Sequence, residues 1–311
     1  MTAAGGVGAP GVREKRAAQR KWSARAWWVS LHAYNYAALA YSGALSPEVL
    51  SMPWFVVVVA VAVVNLGNYV ILQLSSPGYV TQAEQRHDDL EEGQDTRAAS
   101  VEQSTDSDAL VAKESEGNQE GHGTMKLARD ASGLRFCEFC LVTQPLRTKH
   151  CKDCGQCVRQ YDHHCDCAGT CVGEKNRRKF VAYLFIQSIE GMLMINVAAD
   201  AFTLQSSIDE WFQVNWPYVI VWFTTFCALL IAIPLFLYQA YLVSTNQTSW
   251  EHARHSAITY LRDLPDEAKS PFDRGVFTNW RIFLCGGDAN KWVYSSPPAP
   301  AASSPNDTSI M

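Results

Sequence analysis

The sequence predicts an α-helical integral membrane protein, with four transmembrane helices and a cytosolic, loop-rich two-zinc cysteine-rich domain between the second and the third. Three observations predict it. Four long apolar stretches run through the 311 residues, more than a soluble fold of that length could cover. No lysine or arginine occurs from Ala26 to Leu74 or from Phe180 to Ala253, so the cations are confined to segments flanking those stretches. Eight of the ten cysteines lie in thirty-five residues, Cys137 to Cys171, which read CEFCLVTQPLRTKHCKDCGQCVRQYDHHCDCAGTC.

The elements follow in order. The first residues are Gly- and Ala-rich and then basic, with Arg13, Lys15, Arg16, Arg20, Lys21 and Arg25. Positive charge ahead of an apolar run holds residues 1–25 in the cytosol. The run from Ala26 to Leu45 is too long for the apolar part of a signal peptide and lacks a small-residue cleavage site. Residues 26–45 are therefore expected to form an uncleaved first transmembrane helix. His32, Asn35 and three tyrosines interrupt it, which makes a re-entrant segment the competing reading. The Val-rich residues 53–74 form the second helix, and SPEVLSM before it, with one acid and no base, suits the non-cytosolic side.

Ser76-Pro77-Gly78 supplies turn residues after the second helix. Residues 81–130 are Glu, Asp, Gln, Ser and Gly with few large apolar side chains, too little to offset the entropy of ordering them, and are expected to be a disordered acidic insert, a solvated spacer rather than a binding tail. The cysteine-rich domain occupies residues 134–179 and closes on Lys175, Arg177, Arg178 and Lys179, a basic collar ahead of the third helix at 180–204. QSSIDEW reads as the second outer loop. The fourth helix is expected at 216–243, with Trp216 and Tyr218 near its start as an interfacial belt. Four spans return both termini to the cytosol, leaving a cytosolic C-terminal segment at 244–294 and a Pro/Ala/Ser-rich disordered tail at 295–311.

The net charge of −5 carries no basic patch with interleaved aromatics, which argues against nucleic acid as a partner. In the cysteine-rich stretch, the two-residue gaps Cys137/Cys140, Cys151/Cys154 and Cys154/Cys157 bring thiolates and imidazoles close enough to surround tetrahedral zinc. A disulfide framework is the competing reading, but it belongs to secreted domains in oxidising compartments. Eight cysteines with His150, His163 and His164 make eleven candidate ligands, whereas two closed tetrahedral sites use eight. Three groups remain for other work.

Asp162-His163-His164-Cys165, preceded by a CxxC, by Pro145-x-Arg147 and by His150-Cys151-x-x-Cys154-x-x-Cys157, and followed by Cys171-Val172-Gly173-x-x-Asn176, resembles the DHHC family of protein S-acyltransferases (palmitoyltransferases). The resemblance extends to weaker motifs. Ser76-Pro77-Gly78 is similar to the family's Asp-Pro-Gly without its Asp, Thr248-Ser249-x-Glu251 to its Thr-Thr-x-Glu, and Gly275 with Asn279 to a C-terminal segment whose asparagine braces the cytosolic helix ends. It implies one zinc on Cys137, Cys140, His150 and Cys157 and another on Cys151, Cys154, His164 and Cys171, both structural. His163, Cys165 and Cys167 are left over. It implies further that Cys165 is the nucleophile toward acyl-CoA (palmitoyl-CoA), His163 its base and Asp162 the group that orients the base, in a two-step, ping-pong transfer. Membrane lipids and substrate proteins with cytosolic juxtamembrane cysteines are the implied partners, and Golgi or endoplasmic reticulum, with the plasma membrane second, the implied location.

Other assignments lie nearer the residues. Lys175, Arg177, Arg178 and Lys179 could meet CoA phosphates as well as set orientation. Tyr183, Gln187, Glu190 and Met194 share one face of the third helix, which should point inward; Tyr183 and Glu190 are expected at an acyl cavity, with Glu190 capping it and limiting chain length, or else making a helix-packing hydrogen bond. After Cys165 the family's Pro-Trp is replaced by Asp166-Cys167. A carboxylate there opposes thiolate formation and the missing aromatic removes apolar contact. Cys167 could accept the acyl group, form a disulfide with Cys165, or simply pack. Cys227 reads as packing, and Cys285 as a juxtamembrane thiol open to S-acylation. A catalytically weak or inactive zinc-binding interaction protein of the same fold, and a membrane ubiquitin ligase, are the alternative functions.

Overall fold

The computed structural model describes residues 10–82, 135–262 and 270–286, with side chains from residue 18 onward apart from Thr259. The acidic insert beyond Gln82 and the tail at 295–311 lie outside the described residues. Helix α1 spans Pro10–Tyr41, so it begins well before the expected Ala26 and ends short of Leu45. The reason is that hydropathy reports the solvent and not the backbone: Pro at the first position pre-sets φ, and the Arg, Lys, Glu, Gln and Ala that follow are strong helix formers. Gly43, at φ 78°, stops the helix in a conformation that costs glycine little.

A single turn, α2 (Pro47–Leu50), precedes α3 (Met52–Leu74). Helices α4 (Arg177–Asp200) and α5 (Ile208–Ser244) follow the cysteine-rich domain. Helix α5 starts two turns before the expected residue 216, because Ser207 accepts a hydrogen bond from the Glu210 amide and Asp209 and Glu210 lie in the first turn, where the helix dipole favours acids. The stretch QSSIDEW is thus largely a helix start rather than a loop. Helices α3, α4 and α5 are long and apolar enough to cross a membrane by length and composition; α1 is not in that set. Helix α4 packs on both α3 and α5, and α1 on α5. Leu39, Val58, Met194, Ala198 and Val221, one or more from each of the four helices, form a buried cluster.

The cysteine-rich domain is three two-stranded antiparallel hairpins in tandem, β1 (Arg135–Cys137) with β2 (Val142–Gln144), β3 (Lys149–Cys151) with β4 (Gln156–Val158), and β5 (His163–Cys165) with β6 (Thr170–Val172). Strands of three residues cannot build a core of their own. They are fixed instead to the helical bundle. Pro77 and Gly78 accept hydrogen bonds from the amides of Lys175 and Arg159, and a Cβ on Gly173 would lie 2.6 Å from Pro77 O, so only glycine allows that approach. Arg147, fully buried, reaches Glu251 and Asn246 in the segment after α5. There Thr248 and Glu251 form a capping box on α6 (Ser249–Ala253). A 3₁₀ turn (His255–Ala257), α7 (Thr259–Arg262) and α8 (Val276–Cys285) complete the described elements. Asn279 in α8 donates to the Ser244 carbonyl at the end of α5, 2.8 Å.

Candidate active site

The hairpins bring the expected ligands into two groups, Cys137, Cys140, His150 and Cys157, and Cys151, Cys154, His164 and Cys171, each with its donor atoms within 4.8 Å of one another. In the first, His150 Nδ1 lies 3.6, 3.3 and 3.9 Å from the three sulfurs; in the second, His164 Nδ1 lies 3.6, 3.4 and 3.6 Å from its three. Tetrahedral zinc with Zn–S of about 2.3 Å and Zn–N of about 2.0 Å places ligand atoms roughly 3.5 Å apart. The donor set and its spacing therefore fit one metal ion in each group. All ten cysteines are free of disulfides.

The construction is repetitive. A CxxC at the turn of one hairpin joins a His/Cys pair directly opposed across the next, since His150 faces Cys157 and His164 faces Cys171. Each turn closes with a residue of positive φ, Leu141, Gly155 and Gly169. Cys137, Cys151 and Cys165 are equivalent, spaced by 14 residues, and so are Cys140, Cys154 and Ala168. The third turn thus repeats the fold of a metal knuckle with its second ligand replaced by Ala168, and Cys165 keeps a free thiol in a position shaped for ligation. The Ala168 amide donates to Cys165 Sγ, 3.4 Å. This repeat is legible in the sequence as well.

Alternation along β5 sorts the two histidines. Neighbouring strand residues point to opposite faces and residues two apart share one, so His164 turns to the second cluster while His163 and Cys165 face together into a cavity of about 650 Å³. The cavity runs among the helices past Tyr183 to Glu190 and Met194 and is mostly apolar-lined. Cys165 packs with Leu72, Val172, Phe180 and Leu184. Its hydrogen bond with Cys167, and then burial, push the Cys165 thiol above its ordinary pKa. His163 Nδ1 donates to Asp162 Oδ2 at 2.6 Å, which leaves Nε2 as the free ring nitrogen, and the ring lies edge-on to Phe180.

Asp162 is buried and closely held. The Ser249 amide donates to it at 2.9 Å, the Ser249 hydroxyl at 2.7 Å, Gln239 Nε2 at 3.0 Å, and Arg177 Nε pairs at 3.2 Å. Burial alone would raise its pKa, but Arg177, His163 and the Ser249 amide outweigh it and hold the carboxyl well below the usual range. This corrects one sequence assignment: Arg177 is 4% exposed and engaged by Asp162 and Gln239, so it is not placed to meet a phosphate, whereas Lys175, Arg178 and Lys179 are exposed. The cause is helical phase, since the first turn of α4 turns Arg177 inward while its neighbours face out. Gln239 was missed; a lone amide in the apolar run of α5 was its signal.

Glu190 is buried in a polar cluster within the bundle. Tyr36 donates to it at 2.6 Å, Asn65 donates to its other oxygen, and His32 Nε2 lies 3.5 Å away. Trp28 donates to Tyr183 Oη, 2.9 Å, which donates to Gln187, 3.2 Å. Of the polar residues that interrupt the hydropathy of α1, His32 and Tyr36 thus point at α4 and Asn35 at Thr224 and Thr225 of α5.

These features define a class: a protein of membrane-type helices whose metal-knuckle domain presents a thiol, an imidazole and a buried carboxylate to a cavity between the helices. Residues 130–256 match the family described as DHHC palmitoyltransferase. It is similar to Palmitoyltransferase ZDHHC12 of Homo sapiens, 36% identical over 163 residues that cover 51% of this chain and 58% of the relative. It is also similar to Protein S-acyltransferase 10 of Arabidopsis thaliana, 33% identical over 150 residues, 48% of this chain and 43% of the relative, and to Palmitoyltransferase ERF2 of Kluyveromyces lactis, 32% identical over 145 residues, 45% and 39%. The chain spans about half the length of the relatives it matches. The matches do not favour a ubiquitin ligase.

Proposed function

We propose that the chain is a protein S-acyltransferase that moves a long-chain fatty acyl group, typified by palmitoyl, from acyl-CoA to Cys165 and from there to cysteines of membrane-associated proteins. The observation that carries this is the pairing on one face of β5 of His163, bonded to buried Asp162, with Cys165 at the head of an apolar cavity. His163 Nε2 takes the Cys165 proton, and Asp162 holds the ring and supports the imidazolium that results. The thiolate attacks the acyl carbonyl, and the departing CoA sulfur takes the proton back from His163. An acceptor cysteine then repeats the sequence in reverse, regenerating Cys165.

Cys137, Cys140, His150 and Cys157, with Cys151, Cys154, His164 and Cys171, would each hold one structural Zn²⁺, which supplies the folding energy these short hairpins lack. Lys175, Arg178 and Lys179 are exposed where CoA phosphates would lie. The chain-binding end of the cavity, with Tyr183 and Glu190, gains about 0.8 kcal/mol for each CH₂ it takes from water, and the Glu190 cluster is the polar stop that would limit length. Helix α1 is the fourth span on this reading, because its His32, Asn35 and Tyr36 face the bundle rather than lipid. Four spans put both termini in the cytosol, and an endomembrane, Golgi or endoplasmic reticulum, is the expected location.

The test is incubation of purified protein with labelled palmitoyl-CoA, followed by hydroxylamine. Hydroxylamine-labile label that is lost in Cys165→Ser is the expected result. No label on a metal-loaded, folded protein would return the chain to the reading of a membrane-anchored interaction protein.

A further inference from the structure

When a thiolate adds to a thioester, negative charge develops on the acyl oxygen, and a donor fixed in place beforehand stabilises it most. Donors around the thiol and its base are committed to other acceptors: the Ala168 amide to Cys165 Sγ, and the Ser249 hydroxyl, Gln239 Nε2 and His163 Nδ1 to Asp162. Tyr69 is different. It lines the cavity that holds Cys165 and His163, it is 6% exposed, and its buried hydroxyl has no hydrogen-bond partner among the described residues. A buried tyrosine hydroxyl ordinarily finds a partner, because leaving it unpaired costs stability.

Helix α3 puts Tyr69 toward the Cys165 end of the cavity. Leu72, three residues on and so on the same helix face, packs with Cys165, Phe180 and Leu184. Tyr183 packs against that cluster and meets the Tyr69 ring with 5.8 Å between centroids. The Tyr69 ring also lies flat on Trp28, 4.0 Å away and 6° from parallel, and Trp28 is itself fixed by its hydrogen bond to Tyr183. The ring is clamped and the hydroxyl is left over. We propose that Tyr69 is a catalytic residue whose Oη donates a hydrogen bond to the acyl carbonyl oxygen. The inference rests on the S-acylation reading above. In the first half-reaction the Cys165 thiolate bonds to the carbonyl carbon, the π pair of the C=O bond moves to oxygen, and the Tyr69 O–H holds the oxyanion so formed. The pair returns as the carbon–sulfur bond to CoA breaks, and the CoA thiolate takes its proton from His163. Transfer to an acceptor cysteine passes through an oxyanion on the same carbon, so Tyr69 serves both halves and keeps its own proton throughout.

The experiment uses the full chain in detergent with palmitoyl-CoA carrying ¹³C at the carbonyl. Difference infrared spectra of the acyl-enzyme locate the ¹³C=O band, and rapid quench with intact-protein mass spectrometry gives the single-turnover rate of acylation. In the parent the band should lie below that of the same thioester of N-acetylcysteine in a hydrocarbon solvent, as a hydrogen-bonded carbonyl does. Tyr69→Phe keeps the ring and its stacking; it should return the band toward the free frequency and slow acylation about 10²-fold, with zinc content unchanged. A parent band at the free frequency overturns the proposal and, needing no variant, does so even where Tyr69→Phe fails to fold. Acylation of Tyr69→Phe at the parent's rate overturns it too, as does slower acylation with no movement of the band, which would make Tyr69 a packing residue. Each of these leaves an acylated Cys165, and with it the acyltransferase reading, standing. No acyl group on Cys165 in the parent overturns both.

Discussion

Breaking the Arg147–Glu251 pair should loosen the whole metal-binding domain. Arg147 Nε and Nη2 donate to the two Glu251 oxygens at 2.7 and 2.5 Å, and the side chains are 0% and 2% exposed. Nη1 and Nη2 also donate to Asn246 Oδ1 and O at 3.2 Å. Glu251 in turn accepts from Tyr260 at 2.9 Å and caps α6 through the Thr248 amide at 2.9 Å. In Glu251→Leu the guanidinium would lose its carboxylate partner while keeping the neutral Asn246 acceptors, and removing one partner of a buried pair costs about 3–5 kcal/mol, with about 1 kcal/mol more for the lost cap. Arg147→Met/Glu251→Leu removes both charges and should regain much of this, so the coupling between the sites should exceed about 2 kcal/mol. Arg147 sits at φ 66°; Met keeps a side chain there, so backbone strain is common to both proteins. The assay is release of zinc to a chromogenic chelator in excess, limited by opening of the domain. At 1.4 kcal/mol per tenfold, the single variant should release zinc about 10³–10⁴ times faster than the parent, and the double variant at least about tenfold slower than the single. Release by Glu251→Leu within about threefold of the parent would refute the argument that this pair ties the hairpins to the segment after α5.

The other predictions concern the site itself. Cys137→Ala should lose metal and fold together, whereas Cys165→Ser should retain two zinc ions per chain by elemental analysis; metal loss in the latter would make Cys165 a ligand. Glu190→Ala should extend the range of acyl chain lengths accepted in competition between acyl-CoAs, and an unchanged profile would remove the polar stop. Because the Asp162 pKa is lowered on folding, its stabilising contribution is present above the ordinary carboxylate value of 3.8 and lost as pH falls through the lower folded value. The difference in melting temperature between the parent and Asp162→Asn should therefore be the same at pH 7 and pH 6, well above both values; a difference that collapses over this interval would mean the sign is reversed.

Much of the site was legible because its chemistry lies on neighbouring residues. The two-residue gaps marked metal knuckles, and the excess of ligands marked the free groups. What was not legible is what reaches the site from far along the chain. Gln239 and Ser249 hold Asp162 from 77 and 87 residues away, and no local pattern joins them to it. Arg177 was misassigned for a related reason: charge is visible in a sequence, but the direction it faces is set by where α4 begins. Helix α1 extends back from the expected span at 26–45 to Pro10, because hydropathy marks where apolar residues begin whereas helix-forming residues continue past that boundary.

The Asp166-Cys167 replacement takes a different weight once α1 is in place. An acid beside the nucleophile should raise the energy of the thiolate, yet Asp166 has a side chain 70% exposed and lies 3.2 Å from Arg20. In water two unit charges 4 Å apart interact by about 1 kcal/mol, less than the 1.36 kcal/mol of one pKa unit, and the guanidinium opposes even that. The charge is a small obstacle. The N-terminal extension of α1 that supplies Arg20 also needs Gly169, where an added Cβ would come within 2.9 Å of the Lys21 backbone. Asp166, Gly169 and the basic extension therefore fit one another: the acid anchors the helix, and the glycine lets it approach. The more consequential loss is the large aromatic side chain, which leaves Cys167 open to the cavity and gives the site a second sulfur in place of an apolar wall.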